Sequence, residues 1–143
     1  MPILAALAMA EALGSVTVNV SNVRNNRGQV YVELCPQAKF LKENCPYHNT
    51  APAHAGVTTV VITKVPAGQY GAQGFHDENV NNEVDRGLFG IPKEGVGFSR
   101  DARIGLGPPK WKDAVFSHSG KAEIIHFAIR YFMGAKGPTP AKR

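Results

Sequence analysis

Ser15-Val16-Thr17-Val18-Asn19-Val20-Ser21, then Gln29-Val30-Tyr31-Val32-Glu33-Leu34 beyond a turn at Arg24-Asn25-Asn26-Arg27-Gly28, is the stretch that decides the fold. In each half every second residue is apolar and β-branched or Leu, and the residues between are polar. A strand places successive side chains on opposite faces, so this period of two describes a strand with one buried face. Gly28 and the asparagines tolerate the positive φ that a turn demands, and the two halves are expected to form a hairpin.

The pattern continues downstream. Val57 to Val65 is a third strand rich in β-branched residues, and Pro66-Ala67-Gly68 is a turn. Gln69 to Phe75 is a fourth strand, whose small residues Gly71, Ala72 and Gly74 imply that something packs closely over it. Ala114-Val115-Phe116 and Ala122 to Tyr131 read as later strands, the last with Ile125, Phe127, Ile129 and Tyr131 on one face and His126 and Arg130 on the other. After the leader no helix of ordinary length is visible, and Pro46 to Pro52 reads as irregular chain. The expectation is an all-β sandwich of about seven antiparallel strands, spanning residues 15–132.

Composition agrees with one turn-rich domain. With 143 residues the chain is long enough to bury a core, and its 15 glycines and 10 prolines exceed the usual share of about one residue in eight. The net charge is +5, partly from Lys136, Lys142 and Arg143 in residues 133–143, which read as a disordered basic tail. No basic stripe interleaved with aromatics is present, so nucleic acid is not an expected partner. Residues 1–10 resemble a signal peptide, apolar and small from Ile3 to Ala10 with Ala8-Met9-Ala10 as an A-x-A site, although the positively charged leading region is missing. No other apolar run approaches the ~20 residues needed to cross a bilayer. The expected location is periplasmic or secreted. There, the pair Cys35 and Cys45 reads as a disulfide closing a small loop; the alternatives are two buried thiols, or metal ligands with His48 or His54.

One segment carries candidate chemistry. In His76-Asp77-Glu78-Asn79-Val80-Asn81-Asn82-Glu83-Val84-Asp85, Asp77, Asn79, Asn81 and Asp85 supply oxygens at positions 1, 3, 5 and 9, and Glu83 can supply its carbonyl at 7. That spacing suits calcium. Position 6 is Asn82 rather than Gly, and position 12 is Leu88, which cannot coordinate, so the expected affinity is weak, at the ~10⁻⁴–10⁻³ M end. The competing reading is an Asx-rich turn whose side chains cap its own backbone. The long Gly/Pro-rich loop from Asp77 to about Pro109 also carries Phe89, Ile91, Val96, Phe98, Ile104, Leu106 and Trp111, expected for the most part to extend the core. Glu78, Glu94 and Asp101 are candidate carboxylates for a hydrolase, and Ser99 a conceivable nucleophile, but their spacing matches no catalytic motif. His76 is expected to be a hydrogen-bonded structural histidine.

The run His76-Asp77-Glu78-Asn79 with Asn81, Asp85 and Gly90-Ile91-Pro92-Lys93-Glu94-Gly95-Val96-Gly97-Phe98-Ser99 resembles the bacterial exported family catalogued as domain of unknown function 2141. Gly107-Pro108-Pro109, Trp111 and Asp113-Ala114-Val115-Phe116 fit as well, and the resemblance runs from about Ser15 to Tyr131. It implies an immunoglobulin-like or prealbumin-like sandwich in an exported protein, without an established activity. Members of the family look like D-E-N-G-N-G-K-L-D through the loop. Here Val80 and Asn82 take the two glycine places, which puts the loop's shape in question. The combined expectation is a non-catalytic binding or envelope-associated module whose partner is an unknown protein or envelope ligand, with calcium as a candidate stabilising ion.

Overall fold

The computed structural model describes residues 12–42, 44–80, 94–105 and 107–139. Eight strands among them form two sheets: β1 (Leu13–Val23), β2 (Gln29–Cys35), β3 (Tyr47–Pro52), β4 (Gly56–Pro66), β5 (Gly68–Asp77), β6 (Val96–Phe98), β7 (Phe116–His118) and β8 (Glu123–Ala128). One sheet has the order β4-β1-β8. The other runs β3-β2-β5-β6, with β7 also on β5. The all-β sandwich expected from the sequence is what forms.

The hairpin expected at Arg24–Gly28 does not form. β1 pairs with β4 and β8, whereas β2 pairs with β3 and β5, so the turn carries the chain from one sheet to the other. The physical reason lies in the facing rows of apolar side chains. Val16, Val18 and Val20 from β1 and Val30, Val32 and Leu34 from β2 are all fully buried in one core. Across the core they bury one another face to face, each contributing roughly 1.5–3 kcal/mol. A register shift between Val20 and Val23, with Asn22 at φ 59°, bends the end of β1 toward the turn.

Not every pair is antiparallel. β8 runs parallel to β1, with Val16 opposite Glu123 and Ser21 opposite Ala128. Two strands were not expected: β3, within the stretch that reads as irregular, and β6, inside the long loop. Ala114-Val115-Phe116 is also displaced, since a helical turn covers Trp111–Ala114 and the strand begins at Phe116.

β6 and β7 share one edge of β5. β7 pairs with Gly68 to Tyr70 and β6 with Gln73 to Phe75, which leaves a break at Ala72. Ser99 fills it. Its hydroxyl accepts from the Ala72 N–H at 2.9 Å and donates to the Ala114 carbonyl at 2.5 Å, in a buried setting. The small residues of β5 are covered as expected: a Cβ on Gly71 would meet Phe40 and Trp111, and one on Gly74 would meet Phe127.

Phe40 and Trp111 belong to a second, smaller core on the outer side of the five-stranded sheet. It comprises Cys35, Phe40, Cys45, Ala102 and Ala114, with Phe98 and Trp111 against it. Cys35 and Cys45 are joined in a disulfide, their Cα atoms 5.0 Å apart. Of the loop's apolar residues, Val96 is buried in β6, and Phe98 and Trp111 pack here; Phe89, Ile91 and Leu106 lie outside the described residues.

Candidate functional site

The candidate calcium ligands begin at the end of β5. Asp77 is the last residue of that strand rather than the first of a loop, and it is fully buried. Its Oδ2 accepts from the Gln29 side-chain amide at 2.9 Å, Gln29 being its register partner on β2. Asn79 follows in an exposed turn, and the Val80 N–H reaches the Asp77 carbonyl at 3.3 Å. Asn81, Glu83 and Asp85 lie outside the described residues. Val80 has φ 55°, so as far as this residue the chain keeps a left-handed turn even with a β-branched residue in it. Gly28 packs against this corner. Its φ is 70°, and a Cβ there would run into the Asp77 carbonyl oxygen.

Next to Asp77, Glu78 binds back to the β1–β2 turn. Its Oε1 pairs with Arg24 Nη2 at 2.5 Å, and its Oε2 accepts from Arg24 Nε at 3.3 Å and Asn25 Nδ2 at 2.7 Å. Burial alone would raise the Glu78 carboxyl, but the bonds from Arg24 and Asn25 and the Arg24 charge outweigh it and hold the group below its ordinary value. Arg24 uses its other terminal nitrogen, Nη1, to reach the carbonyls of Met133 at 2.6 Å and Ala135 at 3.0 Å, and Asn22 donates to Lys136 O at 2.8 Å. The stretch after 132 expected as tail is therefore tied to the end of β1 at those residues. The Arg24 guanidinium also lies 4.4 Å from the centre of the Tyr131 ring.

Beneath this pair runs a directed chain of hydrogen bonds. The Arg24 N–H donates to the Tyr131 hydroxyl at 2.8 Å. That hydroxyl lies 2.8 Å from His76 Nδ1, and His76 Nε2 lies 2.7 Å from the Arg27 carbonyl. A carbonyl only accepts, so Nε2 carries the proton and Nδ1 accepts from Tyr131. His76 is thus the structural histidine expected. Burial is the main cause that pushes its pKa down, and burial likewise raises Tyr131 to about 12.

The outer face of β2 and β5 carries a second polar group. Gln29 stands opposite Asp77, Tyr31 opposite Phe75, and Glu33 opposite Gln73, with His48 of β3 beside Glu33. The Tyr31 ring is stacked on His48 at 5.8 Å and tilted against Phe75 at 5.1 Å. Gln73 donates to Glu33 Oε1, and the Tyr31 hydroxyl donates to Oε2 at 3.4 Å. Burial raises the Glu33 carboxyl, an effect the Gln73 and Tyr31 bonds partly oppose. Burial and the neighbouring Glu33 push Tyr31 up to about 12. Sequence reading did not single out this group, though one signal was there: Gln29, Tyr31 and Glu33 all occupy the face opposite the valines.

Of the carboxylates proposed for hydrolysis, Glu78 and Glu94 are neighbours, while Asp101 is attached to β8. Glu94 Oε2 accepts from the Glu78 N–H at 2.7 Å, Glu78 holds Arg24, and Asp101 accepts from the Ala128 N–H at 2.8 Å. Ser99 is the buried plug described above. Three of the histidines among the described residues have partners of their own: His76 lies in the Tyr131 chain, His118 bonds Glu123 and the Val65 carbonyl, and His48 stacks on Tyr31.

No curated protein and no solved structure matches this chain. A family model does, over residues 18–126, from within β1 to within β8, and so across both the Asp77 corner and the Tyr31 face. The chain therefore belongs to the family of domain of unknown function 2141, described as an uncharacterized protein conserved in bacteria.

Proposed function

We propose that the protein is an exported, non-catalytic binding or envelope-associated module, and that its ligand is met on the outer face of the five-stranded sheet. The observation that carries this reading is the composition of that face. Half-buried Tyr31 is stacked with exposed His48, and the Glu33–Gln73 pair lies alongside, where a face turned only to water would hold small or charged side chains. The disulfide and the signal-like residues 1–10 support export to an oxidising compartment. The Glu78 carboxylate is engaged by Arg24 and Asp101 by the Ala128 N–H, which favours binding over hydrolysis.

Calcium belongs to the same proposal, since Asp77 on β5 stands opposite Gln29, two residues before Tyr31 on β2. Melting in millimolar calcium should exceed melting in chelator by mass action, and Asp77→Asn should remove the difference. No difference in the unmutated chain overturns the calcium element. For the binding surface, immobilised protein is exposed to envelope extract beside a Tyr31→Ala, His48→Ala variant that melts as a folded protein. A species retained by the first and lost from the second supports the assignment. Equal retention by both, or none by either, overturns it.

A further inference from the structure

The backbone of β8 and the residues after it faces in two directions. Odd-numbered residues turn toward β1: the Ile129 N–H donates to the Ser21 carbonyl at 3.0 Å, and the Phe127 carbonyl accepts from the Ser21 hydroxyl at 3.4 Å. Even-numbered residues turn away. The Ala128 N–H is capped by Asp101 at 2.8 Å, and Arg130 exchanges both of its backbone bonds with Val96. By the same alternation the N–H and C=O groups of Ile124 and His126 point out of the sheet edge. Both residues are exposed, Ile124 at 64%, and among the described residues these four groups have no partner. The other edges are blunted. Asn49 donates to the Val61 carbonyl of β4 at 2.8 Å, Pro66 and Pro52 end β4 and β3, and β6 and β7 are only three residues long. β8 has no Lys, Arg or Pro between Glu123 and Ala128, and an edge of that kind is a template for another strand. We propose that β8 pairs with β8 of a second copy of this chain, antiparallel about a two-fold axis, joining two β4-β1-β8 sheets into one of six strands.

The occupant is a copy of the same edge because the open stretch fits itself. It is two outward residues long, ended by the Asp101 cap on one side and, on the other, by the turn in which the Ser119 N–H bonds the Glu123 carboxylate. A longer strand from another protein would meet Asp101. With Ile124 opposite His126 of the second copy, every outward N–H meets a carbonyl, and four hydrogen bonds use all the open groups. In that register Ile125 faces Ile125 across the axis. Each is only partly buried at the margin of its own core, and the two cover one another. The register also sets Ala128 opposite Ala122 of the second copy. Exposed Asp101, held on the Ala128 N–H, then comes beside exposed Lys121, the neighbour of Ala122. The two-fold axis repeats that contact, so opposite charges meet at both ends of the seam. Between them, residues 124–127 carry no Lys, Arg, Asp or Glu to repel their own images. Such a contact uses the same patch on both copies and closes at two.

The test is sedimentation velocity of the full chain over rising concentration, with hydrogen exchange read at single amides. A monomer–dimer equilibrium is expected, and with it protection of the Ile124 and His126 amides that grows with concentration. The Ile125 amide, turned to β1, should be protected throughout. His126→Pro removes one outward N–H from each copy without touching the ladder to β1, and should shift the equilibrium to monomer. Lys121→Glu keeps the backbone and sets like charges at both ends of the seam. It should weaken dimerisation about fivefold or more at low salt, and less as salt is added. Circular dichroism checks that each variant keeps the β spectrum; if His126→Pro does not, Lys121→Glu decides. The proposal is overturned by a chain that stays monomeric at every concentration, by a dimer whose Ile124 and His126 amides gain no protection, or by Lys121→Glu dimerising as the unmutated chain does.

Discussion

The Tyr131 hydroxyl and His76 Nδ1 lie 2.8 Å apart, and the direction of their bond is fixed from both sides. Arg24 N–H already donates to the hydroxyl, and the Arg27 carbonyl holds the proton on the far ring nitrogen. Only neutral His76 satisfies every partner. Because its pKa in the folded protein is depressed, the unfolded chain takes up the proton first as pH falls. Stability should therefore be level above the ordinary histidine value of ~6.5 and decline below it, by at most about 1.4 kcal/mol per pH unit. The decline ends once the pH has passed the folded-state value. Urea unfolding between pH 8 and about 5 measures this. A His76→Gln variant should lose the slope in that window, and an unchanged slope would refute the assignment to His76.

Ser99 gives a prediction about a single hydroxyl. Ser99→Ala leaves the Ala72 N–H and the Ala114 carbonyl buried without their partner, at a cost of about 1–3 kcal/mol. Hydrogen exchange at the Ala72 amide should accelerate more than exchange at its neighbours on β5.

Val80 stands at φ 55° and is 57% exposed, so its side chain contributes little packing to set against a strained backbone. Val80→Gly should raise stability by about 1 kcal/mol, the relief of strain exceeding the added freedom of the unfolded chain. A higher urea midpoint at constant slope is the expected readout; a lower one means that the valine makes a contact worth more than the strain.

Replacing both Cys35 and Cys45 with Ala should cost roughly 3 kcal/mol through the freed loop. The effect should concentrate in the small core. Trp111 is the single tryptophan and packs edge-on against Phe40 with ring centres 5.6 Å apart, so its fluorescence should shift while the β spectrum persists.

How much of this was legible follows from what each strand buries. β1, β2, β4 and β8 each bury one face against the core, so their alternation shows in the sequence. β3, with Tyr-His-Asn-Thr-Ala-Pro, is an edge strand with no fully buried side chain, and β6 is three residues long around Gly97. Neither has a period to read. Which sheet each strand joins was also hidden, because the same valine row serves a hairpin or a facing sheet. At the site, the buried role of His76 could be inferred from its strand face. Its partner Tyr131 and the Arg24–Glu78 pair join residues 55 and 54 positions apart, contacts that no local pattern encodes.

The parallel pairing of β1 with β8 has a consequence in time. β1 lies in the middle of its sheet, and one of its two neighbours, β8, is the last in chain order of the described strands. Until residues 123–128 exist and have travelled back along the whole chain, Val16, Val18 and Val20 lack that flank. Such long-range closure is slow. A nascent chain that stops short of β8 therefore leaves β1 with one flank open, and this sheet closes only when those two distant segments meet.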